Sequence, residues 1–362
     1  MNQEFNLGEY LSNGIENIIK GAVRASFKNP KESTFIARFA LSGSKARKIR
    51  QKLEDTGEHI PPFLIASITN VCNLHCKGCY ARANSSCTDH KDLNQMSTRE
   101  WDRIFLEAGE IGISFILLAG GEPMMRMDVV KAAAKYKNII FPVFTNGTMF
   151  DDTYLSLLDN NRNLIPILSI EGDSSTTDLR RGEGIYAKLM EDMKNMSQAG
   201  ILYGASITVN KENIAEVTSD AFLTNLYNRG CKVVFYVEYV PVTRDTRNIA
   251  PTDTEREYLE NRLLLLRKAF DDMIFISFPG DEKSSGGCLA AGRGFFHINA
   301  SGFAEPCPFS PYSDTNLKNV SLKSALKSPL FQKLQSSNIL MGEHQGGCVL
   351  FEQKELVETM IL

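Results

Sequence analysis

Residues 63–80 read FLIASITNVCNLHCKGCY, and two signals meet there. Residues 63–69 form a short apolar run with several β-branched side chains, which predicts a buried strand. Directly after it come Cys72, Cys76 and Cys79 in C-x3-C-x2-C spacing. A single loop so spaced can wrap one corner of a four-iron cubane and leave one iron without a protein ligand. Zinc is the other reading, since a structural zinc takes four protein ligands and Cys87 or His75 stands near enough in sequence to be the fourth. The paired C-x2-C units that would favour zinc are absent.

Outward from this stretch the chain alternates. β-rich runs at 63–69, 114–119, 138–144, 164–170, 203–209 and 232–240 are separated by helical patterns after Ser97, over 128–137, after Asp151, and over 185–199 and 219–229. Strand–helix alternation predicts an α/β fold with a parallel sheet and helices outside it. Six such units fall short of the eightfold barrel, so the expectation is a partial (β/α)6, TIM-like barrel. A helix carrying Leu259, Leu263, Leu266 and Phe270 follows, and 280–350 is then rich in Gly, Ser, Pro and Cys, as a second, smaller domain would be. The expected division is 1–60, 61–275 and 276–362. In the first part Leu11, Ile15, Ile18, Ile19, Val23 and Phe27 recur at helical spacing. That face is expected to pack on the main domain, with peripheral membrane contact or a partner helix as the alternative. Lys45, Arg47, Lys48, Arg50 and Lys52 read as a solvated helix face.

Composition narrows the class. The chain has 362 residues, 43% hydrophobic and 23% charged, enough for a sizeable core. Lys and Arg number 40 against 43 Asp and Glu, so overall charge offers nothing to nucleic acid. No apolar run approaches the roughly 20 residues of a membrane span. The first residues, MNQEFNLGEY, show no secretory signal, and the expected location is cytoplasmic. There, the eight cysteines would be reduced thiols, and their clustering points to metal or redox sites.

The motifs resemble those of the radical S-adenosylmethionine (SAM) enzymes. Besides the cysteine triplet there are Gly120-Gly121-Glu122-Pro123 after the second strand and Thr145-Asn146-Gly147-Thr148 after the third. Ser169-Ile170-Glu171-Gly172-Asp173 follows the fourth, and Asp178-Leu179-Arg180-Arg181-Gly182 comes after it. All fall at C-terminal strand ends, the face on which such barrels assemble sites. The resemblance implies that Cys72, Cys76 and Cys79 hold a [4Fe-4S] cluster whose open iron is chelated by the methionine end of SAM. Gly120 and Gly121 would let backbone approach the ligand, and Glu122 would accept a hydrogen bond from the methionine amino group. Glu122 capping a turn before Pro123 is its simpler reading. Ser169 and Glu171 resemble ribose-binding positions, Arg181 or Arg180 would pair with the methionine carboxylate, and Asn146 would shape the floor. Thr208 and Val209 resemble positions near the adenine. The family often has an aromatic residue before the third cysteine; this chain has Gly78, so Tyr80 is expected to cover the adenine instead.

The implied reaction passes one electron into SAM, breaks S–C5′, and uses the 5′-deoxyadenosyl radical to take hydrogen from an unactivated C–H bond. A donor such as flavodoxin or ferredoxin would supply the electron. Cys288, Gly302 and Cys307 in C-x13-G-x4-C spacing, with Cys348 beyond, resemble SPASM and twitch extensions. That implies one auxiliary iron–sulfur cluster on Cys288, Cys307 and Cys348. Buried inert thiols are the alternative, and Cys87 and Cys231 are expected to be such. On the sixth strand, Tyr236 and Glu238 share one face and Tyr239 takes the other. Glu238 and Tyr236 are the candidates for work on the substrate, with an ion pair as the alternative for Glu238. The expected substrate is a peptide or protein, and a cofactor or lipid precursor is the second possibility. A non-catalytic iron–sulfur or zinc sensor is the reading from another class.

Overall fold

Every β-rich run becomes a strand, and a seventh is added. The computed structural model describes residues 30–90, 92–241, 244–280, 286–341 and 348–361; the amphipathic pattern at Leu11–Phe27 lies outside them. Strands β1 (Phe63–Thr69), β2 (Phe115–Gly120), β3 (Phe141–Thr145), β4 (Leu164–Ser169), β5 (Gly204–Val209), β6 (Val233–Glu238) and β7 (Ile274–Phe278) run parallel in sequential order. Sequence reading missed β7, which carries the expected 275/276 boundary within it. The sheet continues past β1 into β8 (His297–Ile298), parallel to it, and β9 (Ala304–Glu305), antiparallel to β8. The C-terminal hairpin is therefore an extension of the barrel sheet.

Preceding the barrel is α1 (Pro30–Glu54), and the crossovers carry α2 (Thr98–Glu110), α3 (Met127–Ala133), α4 (Asp152–Asn160), α5 (Ser174–Arg181), α6 (Ile185–Gln198), α7 (Asp220–Arg229) and α8 (Asp253–Ala269). Their starts are written locally: Ser97 and Glu100 make a reciprocal capping box on α2, and Asp151 accepts from Tyr154 N on α4. Alternation then assigns faces. Leu64, Ala66 and Ile68 of β1 pack with Trp101, Ile104 and Phe105 of α2 in the outer core. Phe63, Ile65 and Ser67 take the lumen side.

Two contacts shape the lumen. Phe35, Ile36 and Phe39 of α1 pack with Ile140, Ile165, Ile167 and Val233 near the strand starts, closing the N-terminal end. Arg162 pairs with Glu32 of α1 at 2.6 Å, both buried. On the open side, Phe278 lies edge-on to Phe295 at 5.6 Å, and Phe295 stacks on Phe63 at 5.2 Å, bringing β7 against β1. The basic stretch on α1 is mostly outward, but Arg50 is buried and donates to Gly112 O, so it anchors the helix. Among the described residues, no helix is long and apolar enough to cross a membrane.

Candidate functional site

The C-terminal strand ends converge on the cysteine loop. Val71 bridges to Thr88, and Cys72 N donates to Thr88 O at 3.3 Å, turning the chain out of β1. Arg82 ties the loop from behind, with Nε to Leu74 O at 2.9 Å, Nη2 to Cys72 O at 3.0 Å, and Nη2 to Asp89 at 2.9 Å. Sequence reading missed this clamp; an arginine three residues past a cysteine triplet is its only trace. Lys77 N donates to Arg180 O at 2.9 Å, which joins the loop to the end of α5. All three cysteines are half-buried free thiols.

The thiols differ in charge preference. Cys72 accepts a hydrogen bond from the Cys87 thiol, which pulls it below the ordinary thiol range and pushes Cys87 above it. Burial raises Cys76, against Arg181 and Arg180, and the neighbouring thiols add to the rise. Mutual repulsion of this kind is what a bound metal cluster relieves. Among the described residues, no three or more His, Cys, Asp and Glu side chains converge as one metal ion requires. A closed zinc site needs that convergence, whereas a cubane gives each cysteine its own iron. His75, the other zinc candidate, is paired with Asp89 at 3.0 Å and largely exposed. The donor set fits a four-iron cluster.

Gly120 and Gly121 are shaped by backbone crowding. A Cβ on Gly120 would strike Thr69 O, and one on Gly121 would strike Val71 O. Glu122 is 1% exposed and turned inward. Its Oε1 accepts from Met124 N at 2.9 Å and Thr145 Oγ1 at 2.7 Å, and its Oε2 from Asn146 N at 2.7 Å. Burial pushes its carboxyl up to about 7 against those three donors. The turn-capping arrangement is thus the one observed, with lone-pair capacity left on Oε2. Asn146 links floor to loop: Nδ2 donates to Asn73 Oδ1 at 3.0 Å and reaches Cys72 Sγ at 3.9 Å.

Across the mouth, Ser169 ends β4 half-buried on the lumen side. Glu171, 1% exposed, is held by both Arg180 and Arg181, the latter through Nε at 2.8 Å, and its Oε2 accepts from Thr208 N at 3.1 Å. Arg180 also donates to Thr208 Oγ1 at 3.0 Å. The acidic and basic candidates are therefore paired with each other in this state. Tyr80 sets its ring edge-on to Phe309 at 4.7 Å, and its phenol is pushed up by burial first, then by Cys79 and Cys307. It stands at the seam between the two cysteine groups.

β6 corrects the substrate candidates. Tyr236 is fully buried and donates to Val217 O at 2.8 Å, while Glu238 accepts from Arg256 Nε of α8 at 2.7 Å. Both face the helix layer, so neither meets a substrate in the lumen. The opposite parity brings Tyr239 to the site. It is 3% exposed, its hydroxyl has no hydrogen-bond partner among the described residues, and it lies against Gly78, where a Cβ would sit 2.6 Å from that oxygen.

The second cysteine group also assembles. Ala291 N donates to Pro306 O at 3.1 Å and Cys288 N to Leu340 O at 2.8 Å. Burial raises Cys307 well above the thiol range, helped by a hydrogen bond with Cys348 and the nearby Cys288.

Residues 66–223 match the family model of the radical SAM superfamily. That stretch is a radical SAM domain. A domain of this kind works with a [4Fe-4S] cluster and SAM. The chain is 29% identical over 178 residues to Fe-coproporphyrin III synthase of Methanosarcina barkeri, a match covering 48% of this chain and 44% of that one. It is 26% identical over 257 residues to the sporulation killing factor maturation protein SkfB of Bacillus subtilis, covering 69% and 60%. These matches span under two thirds of either relative's length. Among solved structures, SuiB of Streptococcus suis bound to precursor peptide SuiA superposes with a TM-score of 0.67 at 18% identity, covering 84% of this chain and 76% of that one. That likeness speaks to the radical SAM fold.

Proposed function

We propose that this chain is a radical SAM enzyme that modifies a peptide or protein. One observation carries the reading. Cys72, Cys76 and Cys79, with Cys87 hydrogen-bonded to Cys72, stand beside a floor of Gly120, Gly121 and Asn146, and a wall of Glu171, Arg180, Arg181 and Thr208. When bound, the cluster and SAM supply a one-electron cleavage to 5′-deoxyadenosyl and methionine, with hydrogen abstraction from substrate. The protein's own part is positional. Cys72, Cys76 and Cys79 hold the cluster, and the glycine pair admits the methionine end without a Cβ in the way. Glu122 keeps a lone pair for the amino group while bracing the loop. Ser169 and Glu171 serve the ribose. Arg181 turns from Glu171 toward the methionine carboxylate, and Tyr80 covers the adenine side. Phe278, Phe295 and α1 keep water from the lumen. Cys288, Cys307 and Cys348 hold an auxiliary cluster in the unit from 276 onward. The free thiols suit a reducing cytoplasm, and a flavodoxin or ferredoxin delivers electrons.

The peptide assignment is supported by the similarity to SkfB, a maturation protein, over 69% of the chain. A second reading, modification of a cofactor precursor, is favoured by the similarity to Fe-coproporphyrin III synthase. Anaerobic reconstitution followed by SAM and dithionite is the test. 5′-Deoxyadenosine is expected, and its absence with a full cluster would overturn the enzymatic reading. Faster formation with candidate peptides than with Fe-coproporphyrin III supports the first substrate class, and the reverse order supports the second.

A further inference from the structure

Ser67, His297 and Glu305 form a hydrogen-bonded line across three strands that the site above does not use. His297 sits beside Ile65 in the β1–β8 pairing and directly opposite Glu305 in the β8–β9 hairpin. Its Nε2 is 2.7 Å from Ser67 Oγ, and its Nδ1 is 2.7 Å from Glu305 Oε2. Asn299 Nδ2 donates to the other carboxylate oxygen at 2.6 Å. His297 is 4% and Glu305 5% exposed, whereas Ser67 is half-buried on the lumen face.

The bonding order follows from the chemistry of the groups. Asn299 donates to Oε1, which leaves Oε2 to accept, so the Nδ1–H of the ring points at Glu305. In the neutral ring Nε2 is then an acceptor, and Ser67 donates to it. The tautomer that points a base at Ser67 is therefore set by Glu305. Bracing alone does not call for this set, because the other lumen positions of β1, Phe63 and Ile65, join the hairpin region through apolar contacts. Burying an imidazole and a carboxylate is costly unless each is satisfied, and among the described residues this line reaches the lumen at the Ser67 hydroxyl. Ser67 pairs across the sheet with Ala119, the residue before Gly120, so this outlet lies one layer beneath the glycine pair.

We propose that Ser67 and His297 form a proton-accepting site for an O–H or S–H group of a molecule bound in the lumen, with Glu305 as a positioning residue. The proposal deepens the radical SAM reading and rests on it for what occupies the lumen. In the step, the proton of the bound group passes to Ser67 Oγ as the Ser67 proton passes to His297 Nε2. The imidazolium so formed is paired with the Glu305 carboxylate, and no electron changes hands.

The test uses cluster-loaded full-length protein and p-nitrophenyl acetate as an electrophilic probe, on which the same relay acts through the hydroxyl of Ser67 itself. An Oγ–C bond forms, the bond to p-nitrophenolate breaks, and the serine proton goes to His297. Peptide mass spectrometry should show Ser67 acetylated at least about ten-fold faster than Ser169 and Ser206, half-buried serines on the lumen face of β4 and β5. His297→Gln, which can still hydrogen-bond but takes no proton, should fall to the level of those serines with an unchanged melting temperature. Glu305→Gln should slow labelling and Glu305→Asp restore part of it. Labelling of Ser67 no faster than the control serines, or equal labelling in His297→Gln, overturns the proposal. Should His297→Gln fail to fold, the wild-type comparison and the Glu305 pair still decide it. The probe needs no SAM. An unlabelled Ser67 in protein that makes 5′-deoxyadenosine removes the relay alone, and a labelled Ser67 without that product removes the radical reading alone.

Discussion

Tyr239 fills the space beside Gly78: a Cβ at residue 78 would lie 2.6 Å from the Tyr239 hydroxyl and 2.8 Å from Cε2. Gly78 has φ of +67°, a conformation side chains disfavour, so glycine is needed for the turn as well as the contact. Gly78→Ala should cost on the order of 1–3 kcal/mol and lower the iron bound after reconstitution. Tyr239→Phe removes a buried hydroxyl with no partner among the described residues, so it should leave stability unchanged or raise it by up to about 1 kcal/mol. Thermal melts and iron assays check both, and normal iron in Gly78→Ala would show that the contact does not govern the loop.

Glu122 should make stability depend on pH. It holds its proton up to about 7 in the folded chain against an ordinary value of 4.5, so the folded state binds more protons between those values. Stability of the cluster-free protein should therefore fall as pH rises through that window, by up to roughly 3 kcal/mol. Glu122→Gln should flatten this slope. It should also destabilise at low pH, because its amide N–H meets the Asn146 N–H that Oε2 now accepts. Urea titrations at several pH values test both halves.

Arg82 holds two carbonyls of the cysteine loop and pairs with Asp89. Arg82→Lys keeps the charge but not the fork, so it should lose several-fold in iron retention, nearly as much as Arg82→Ala. Iron and sulfide analysis after gel filtration is the measurement, and full retention in Arg82→Lys would mean that charge alone suffices.

Outward-facing residues of β6 should matter for stability only. Tyr236→Phe loses its bond to Val217 O, worth about 1 kcal/mol. Glu238→Gln weakens the buried pair with Arg256 and should cost on the order of 1–3 kcal/mol. Neither should change 5′-deoxyadenosine formation by more than about two-fold, given equal folded protein. A large loss of product from a stably folded Tyr236→Phe would return that residue to the reaction.

Removing the second cysteine group should halve the metal. Wild type should bind about eight irons and a Cys288→Ala/Cys307→Ala variant about four, as two four-iron clusters and one require. Equal counts would leave the C-terminal thiols structural.

Local signals carried most of the architecture. The strand runs, the capped helix starts at Ser97 and Asp151, and the motifs at strand ends are short-range features. Any chain with that alternation and those turns places residues 72–79, 120–122, 146 and 171 at one end of a parallel sheet. β7 escaped notice because its five residues are short and lie where the composition was already changing, although Asp271 and Asp272 turn the chain into it.

Parity and partners were decided by the tertiary structure. Period two says that Tyr236 and Glu238 share a face, but which face looks inward depends on where α8 and α1 pack. Gly78 reads as a departure from a family pattern until Tyr239, far along the chain, is seen beside it. Ser67 and His297 stand 230 residues apart in sequence and meet only because the last hairpin joins the edge of the first strand. Backbone propensity and turn chemistry act over a few neighbours, so the amino-acid order sets the elements and their ends. Which side chains meet across the lumen follows from sheet order and helix packing, and no local pattern encodes that.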